Sequence, residues 1–342
     1  MASEPGRKPS PRTVLLLSLK VVLSVAVFAL LFRGKLDWKD VEHALGAANR
    51  GGLAAACGVM LASNVLGAFQ WSRLLRAVDI RLPFWKVCLY YHVGLFFNNF
   101  LPANVGGDFA RILDASRGGS ASRASAFSTV LMDRLIGTVA LGGLAVLTTL
   151  PAVGQLRLSS GLLVSLLGGV FAFFAISVGM LWAIFHPRLL ATVEHVLAFV
   201  RLGRLKPALD ELSERLAGFR GQRRMFMELF VVAAGVQVMR IGVHVLVARS
   251  LGLHVPIVDF FLFVPLLAVI VSLPISLNGI GVREGAGVFL FGLVGVRQDL
   301  AFTLQFTTYL VAVAVSMIGG IVFLVRIPHR RAEARVSRRP DA

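Results

Sequence analysis

Six apolar runs, each long enough to cross a bilayer as a helix, constrain this chain more than any other feature. They are Thr13–Phe32, Leu53–Trp71, Ala124–Leu150, Leu158–Phe185, Met225–Ala248 and Leu300–Val325. A crossing helix needs about 20 consecutive apolar residues, and helices satisfy their own backbone groups where no water can. Of the 342 residues, 15% are charged, against about 25% in soluble domains. The chain therefore reads as an all-α polytopic membrane protein, with about 6–8 transmembrane helices plus re-entrant broken helices.

The net charge of +17 raises the question of nucleic acid, and the placement of the charges answers it. Eight Lys/Arg lie between Arg188 and Arg224, and six Arg follow Val325. Clusters at membrane ends follow the positive-inside rule and attract anionic lipids. No aromatic-basic platform or zinc spacing accompanies them, so no nucleic-acid partner is expected. Cys57 and Cys88 sit in or beside apolar segments, which argues against a disulfide framework or a metal site. The first apolar run follows Arg7, Lys8 and Arg12. It exceeds the usual signal-peptide core of about 7–15 residues and is read as an uncleaved helix.

Three shorter apolar stretches decide the topology: Phe84–Phe100, Val258–Leu273 and Glu284–Gly295. If Phe84–Phe100 crosses fully, the basic 186–224 loop falls outside. If it dips in and returns, that loop, Arg111, Arg117 and Arg123 all fall inside, as the charge rule requires. The other two stretches form either a V-shaped re-entrant pair or a full hairpin; parity permits both. The twelve residues of Glu284–Gly295 reach about 18 Å as a helix, short of a core of about 30 Å, which favours re-entry. The expected organisation is a cytoplasmic tail over 1–12, a membrane domain over 13–325 and a basic cytoplasmic tail over 326–342. Within the membrane domain, 186–224 is a cytoplasmic or interfacial segment. Leu205, Leu209, Leu212, Leu216 and Phe219 there form one apolar face, as in a helix lying on the inner leaflet.

Two breaks in the apolar pattern share a spacing. "LPANVGGDFAR" (101–111) and "LPISLNGIGVR" (273–283) both fit L-P-x4-G-x3-R. Interrupted helices in corresponding places of two oppositely oriented halves point to a midplane transport site, and to an inverted repeat. Pro102 and Pro274 stop a helix. Gly106, Gly107, Gly279 and Gly281 permit tight turns and leave N–H groups exposed for an anion at the next helix start. Arg111 and Arg283 can grip a phosphate bidentately, while Asp108 and Glu284 either hold these arginines or face a cationic headgroup. Asn99 and Asn278 complete the candidate headgroup-binding set. Against this, Asp108, Arg111, Asp114 and Arg117 recur at three-residue steps, which also fits a salt-bridged interfacial helix. Intramembrane charge is functional by default, which favours a binding role for Arg283 and Glu284.

Supporting polar groups lie inside other runs. Asp133-Arg134 reads as a buried pair, and Gln237, Arg240 and His244 share one helical face at 3- and 4-residue spacing. They either line a polar cavity or leave Arg240 to snorkel. Lys20, His92 and Asn98 are weaker candidates.

At these breaks the chain resembles the flippase-like membrane family that includes the transmembrane region of lysylphosphatidylglycerol synthases, of the bacterial multiple-peptide-resistance type. Asn99, Pro102, Gly106-Gly107-Asp108 and Arg111 carry the likeness, with "LMDR" (131–134), Pro274, Asn278-Gly279, Gly281 and Arg283-Glu284. The resemblance implies lipid handling in a bacterial plasma (inner) membrane with both termini cytoplasmic. It implies no aminoacylation, because only an arginine-rich tail follows the membrane region. The expected function is a flippase or transporter for an anionic phospholipid or polyprenyl-linked lipid. The alternative is a non-catalytic subunit anchoring a cell-envelope lipid or polysaccharide biosynthesis enzyme. Expected partners are anionic membrane lipids, with a homo-oligomer and an envelope-biosynthesis enzyme as further candidates; no cofactor is expected. Catalysis is not expected either. An aspartyl protease needs two facing carboxylates, and the partners on offer for Asp108 are Asp133 or Asp259, behind G-G-D where G-x-G-D is required.

Overall fold

The computed structural model describes residues 38–100, 106–117, 122–152, 160–186, 214, 216, 218–219, 221–272, 279 and 281–336. The expected first helix Thr13–Phe32, with Lys20, lies outside them, as do Pro102, Pro274, Asn278 and the tail from 337. Within the described residues every regular element is a helix: α1 (Trp38–Gly46), α2 (Arg50–Ala77), α3 (Phe84–Phe100), α4 (Gly106–Arg117), α5 (Arg123–Ala152), α6 (Ser160–Phe185), α7 (Arg223–Ser250), α8 (Ile257–Ser272), α9 (Val282–Gly292) and α10 (Gln298–Val336). Five of these, α2, α5, α6, α7 and α10, are long and apolar enough to cross a membrane. The chain is a multi-pass membrane protein.

Contacts between helix ends fix the directions. The Asn49 N–H donates to the Ser250 carbonyl at 2.8 Å, joining the start of α2 to the end of α7. At the other end, Arg73 Nη2 meets Glu228 Oε2 at 2.8 Å. The two helices are therefore antiparallel. The Asn49 side chain also caps α2, accepting from the Gly52 N–H at 3.0 Å, which satisfies one of the helix's orphan donors. Two faces result. One carries Arg73, Arg76, Arg81, Lys86, Arg123, Arg223 and Arg224; the other mixes Lys39, Arg50, Arg249 and Arg297 with Asp40, Glu42, Asp259 and Asp299.

Of the remaining five helices, α1 is a short one of nine residues and the other four form two hairpins too short to cross. α3 has 17 residues and α4 has 12, or about 26 Å and 18 Å at 1.5 Å per residue, both short of the hydrocarbon thickness. They run antiparallel: the Asn98 side chain meets Gly107 near the tip, and Tyr91 meets Arg111 further out. Ala115 near the end of α4 is buried with Val87 of α3, Leu75 of α2 and Ala126 of α5. Both arms thus return to the basic face. α8 and α9, of 16 and 11 residues, repeat this arrangement from the opposite face. Phe291 near the end of α9 packs on Phe260 and Phe263 of α8, with ring centroids 5.4 Å and 5.3 Å apart. The segment 258–295, open between re-entrant pair and full hairpin on parity, is a re-entrant pair.

Of the amphipathic segment before α7, Leu216 and Phe219 are buried among Leu74, Met132, Ile136 and Leu229 at the basic face. The segment's start, from 205 to 213, lies outside the described residues. α6 is peripheral, with 11% of its apolar window buried.

Candidate functional site

The two hairpins meet around one cavity of about 620 Å³. Its depth follows from which part of each helix lines it. α2 contributes Gln70, α5 contributes Asp133 to Leu144, α7 contributes Ala233 to His244, and α10 contributes Thr308 to Ala312. These are middle stretches of spans running Arg50–Ala77, Arg123–Thr149, Arg223–Ser250 and Gln298–Arg326. The hairpins add their inner ends: Asn98, Asn99 and Arg111 from one, Val271, Ser272 and Arg283 from the other. The cavity therefore lies near mid-depth. Non-helical backbone at that depth is tolerated where it borders protein or a wet cavity.

Arg111 and Arg283, which the shared spacing singled out, both line this cavity, and so do Asn99, Asp133, Arg134, Gln237, Arg240 and His244. Their environments differ. Arg111 is 4% exposed. Its Nη2 donates to Asp133 Oδ2 at 2.7 Å, and its guanidinium stacks over Trp71 and Tyr91, at 4.3 Å and 4.6 Å from the ring centroids. Arg134 donates twice to Asp108, at 3.0 Å and 2.9 Å. The bonds thus run crosswise between α4 and α5, with Asp108 to Arg134 and Arg111 to Asp133. Of the expected buried pair Asp133-Arg134, Asp133 is buried and the Arg134 side chain is half exposed; neighbours along a helix point in different directions, and each finds its partner on α4. The interfacial-helix reading of α4 falls for the same reason. Arg111 and Asp114 are both buried, and Asp114 pairs with Arg326 of α10 at 3.2 Å. Nor do Asp108 and Asp133 stand as the facing carboxylate pair an aspartyl protease needs: Asp108 is engaged by Arg134 at 2.9 Å, with Arg111 at 3.8 Å, and Asp133 by Arg111 at 2.7 Å.

The glycines also have a different role from the one expected. The Gly107 N–H is taken by Asn98 Oδ1 at 2.9 Å. A Cβ on Gly107 would run into the Gly94 carbonyl and the Asn98 side chain. Gly107 is there so that α3 and α4 can touch, and it offers no open donor to an anion. Gly279 and Gly281 have φ of 77° and 83°, the left-handed region that glycine enters without steric cost. The Gly281 N–H donates to Glu284 Oε2 at 2.7 Å, so Glu284 caps α9 instead of facing a headgroup. Gly106, Gly107, Asp108, Gly279, Gly281 and Glu284 are not among the cavity's lining residues; they shape the hairpins and hold the arginines.

Sequence reasoning missed the aromatic partners. The chain has three tyrosines, and each lies beneath a guanidinium. Tyr91 is under Arg111, Tyr309 under Arg283 at 4.6 Å, and Tyr90 under Arg326 at 4.5 Å. The electron-rich ring face partly replaces the hydration an arginine loses in the membrane. Tyrosine scarcity in so aromatic a chain was the one available signal. Gln70 was also missed; its Nε2 donates to Asp133 Oδ1 at 2.9 Å and helps orient that carboxylate.

These features define a class: an all-α membrane protein in which two re-entrant hairpins from opposite faces enclose a polar chamber at mid-depth. Within that class the chain belongs to the family of the lysylphosphatidylglycerol synthase TM region, which it matches over residues 17–320. It is also similar to the UPF0104 membrane protein PH1989 of Pyrococcus horikoshii, with 25% identity over 288 residues, covering 77% of this chain and 83% of that protein.

Proposed function

We propose that this protein carries the anionic headgroup of a lipid, a phospholipid or a polyprenyl-linked lipid, between the leaflets of the plasma membrane. The observation that carries the reading is the convergence of Arg111 and Arg283, from hairpins of opposite entry, on one chamber at mid-depth. Moving a charged headgroup through hydrocarbon is the costly step in lipid translocation. A chamber lined with guanidinium, amide and hydroxyl groups lowers that cost while the acyl chains stay in the bilayer. Two further features support the reading. Arg111 Nε has no acceptor among the described residues, which leaves a donor for a ligand oxygen. Arg240 makes no ion pair among them either. On the positive-inside rule the face bearing Arg73, Arg76, Arg81 and Lys86 is cytoplasmic.

The test is reconstitution into vesicles that contain trace fluorescent phospholipids or polyprenyl phosphates, with reagent quenching of the outer leaflet. Protein-containing vesicles are expected to lose fluorescence beyond the half that empty vesicles lose. Equal loss in both, across every lipid tried, removes the proposal.

A further inference from the structure

The cavity's charges are not evenly balanced, and the imbalance bears on what it can hold. Arg111, Arg134, Arg240 and Arg283 bring four positive charges to the wall. Against them, among the described residues, stand Asp133 on Arg111, Asp108 on Arg134, and Glu284, next to Arg283 in the chain and bonded to the Gly281 N–H. The hairpin connections 101–105 and 273–278 contain no ionisable residue. Among the described residues, four arginines thus stand against three carboxylates. The imbalance is also local. At the α4–α5 wall each arginine has its own carboxylate, at 2.7 Å for Arg111 and 2.9 Å for Arg134. On α7, Arg240 makes no ion pair among the described residues. His244, one turn further on, donates its Nδ1–H to the Arg240 carbonyl, 2.9 Å away, and the four-residue spacing puts the two side chains on one face of the helix.

From this, and resting on the lipid-carrying reading above, we infer that Arg240 is the specificity-determining residue. Its unmatched charge selects an anionic headgroup, a phosphodiester without a cationic substituent, over a zwitterionic headgroup. The compensated α4–α5 wall holds the chamber open and supplies hydrogen-bond donors; the α7 wall supplies the unmatched charge. A zwitterion's phosphate can meet Arg240, but its ammonium group then brings a further positive charge that no described carboxylate is left to meet, a deficit that weighs heavily in a low-dielectric site. A phosphodiester monoanion gives Arg240 its counter-charge and brings no second cation.

The experiment compares fluorescent phosphatidylglycerol, a monoanion, with fluorescent phosphatidylcholine, a zwitterion. The full chain is reconstituted in the same phosphatidylcholine vesicles for both. Wild-type protein is expected to move the monoanion about tenfold faster, the ratio set by about 1.4 kcal/mol of differential binding. Two substitutions each remove one unit of net positive charge by different routes, Arg240→Gln and the isosteric Gln237→Glu, and both are expected to bring the ratio near one. Arg240→Lys keeps the charge and the preference. Gln237→Glu changes no size and gives up only the long Nε2 donation to the Gly137 carbonyl, at 3.4 Å, so it gives the answer if Arg240→Gln does not fold. Wild type that moves both lipids at the same rate, or variants that keep the full preference, overturns the charge argument and leaves lipid carrying intact. Wild type that moves neither lipid overturns both.

Discussion

Arg111 Nη2 and Asp133 Oδ2 sit 2.7 Å apart, and through this contact a hairpin that does not cross the membrane is held against a helix that does. Both side chains are more than nine-tenths buried. Removing one partner of a buried pair strands the other charge, at a cost of about 3–5 kcal/mol, whereas removing both together costs much less. Asp133→Ala is expected to lower the melting temperature in detergent sharply. The double variant Arg111→Met with Asp133→Leu is expected to recover most of that loss. Additive losses in the double variant would mean the pair is not what joins α4 to α5.

Gly107 is the point at which α3 and α4 touch. Gly107→Ala places a methyl group against the Gly94 carbonyl, and backbone cannot yield as a flexible side chain can. Overpacking of this kind costs about 1–3 kcal/mol, and here it also pries Asn98 from the Gly107 N–H. Expression and thermal stability are both expected to fall. Gly46→Ala meets nothing within 4 Å and serves as the silent control. Equal behaviour of the two variants would show that the hairpin is not packed as described.

Opposite entry of the two hairpins gives opposite labelling of two exposed loops. Asp79 lies between α2 and α3, and His254 between α7 and α8. With Cys57 and Cys88 replaced by alanine, Asp79→Cys and His254→Cys each offer one thiol. An impermeant maleimide is expected to label His254→Cys in intact cells and Asp79→Cys only in inside-out vesicles. Labelling of both from one side would contradict the two-faced arrangement.

Much of this fold was legible because the bilayer imposes simple rules. Length and apolarity located α2, α5, α6, α7 and α10, and α3 coincides with the expected Phe84–Phe100. Loop charge pointed to the first hairpin, since one more crossing would have moved the basic loop to the wrong side; for the second, parity allowed both forms and only the short length of Glu284–Gly295 favoured re-entry. The side-chain partners were harder to read. Asp133 and Arg111 are 22 positions apart, and no local pattern tells whether Asp133 bonds Arg134 beside it or Arg111 on another helix. Gly107 misled for a related reason: a glycine that lets two backbones meet and one that exposes a donor look the same in sequence. The tyrosines follow no repeat and came into view only once α3 and α10 were placed.

Tyr309 offers the sharpest remaining test, because it touches Arg283 through its ring. The guanidinium lies 4.6 Å from the ring centroid, where the attraction reaches about 2 kcal/mol or more in a desolvated site. Phenylalanine keeps a π face, while leucine of similar bulk has none. If the ring holds Arg283 toward the chamber, Tyr309→Phe is expected to move the fluorescent monoanion at close to the wild-type rate. Tyr309→Leu is expected to slow it by about five- to thirtyfold, the factor that one or two kcal/mol corresponds to. Melting temperatures measured alongside separate a loss of arginine positioning from a loss of fold. A Phe variant as slow as the Leu variant, with both fully folded, would place the effect in the phenolic hydroxyl and remove the ring from the account.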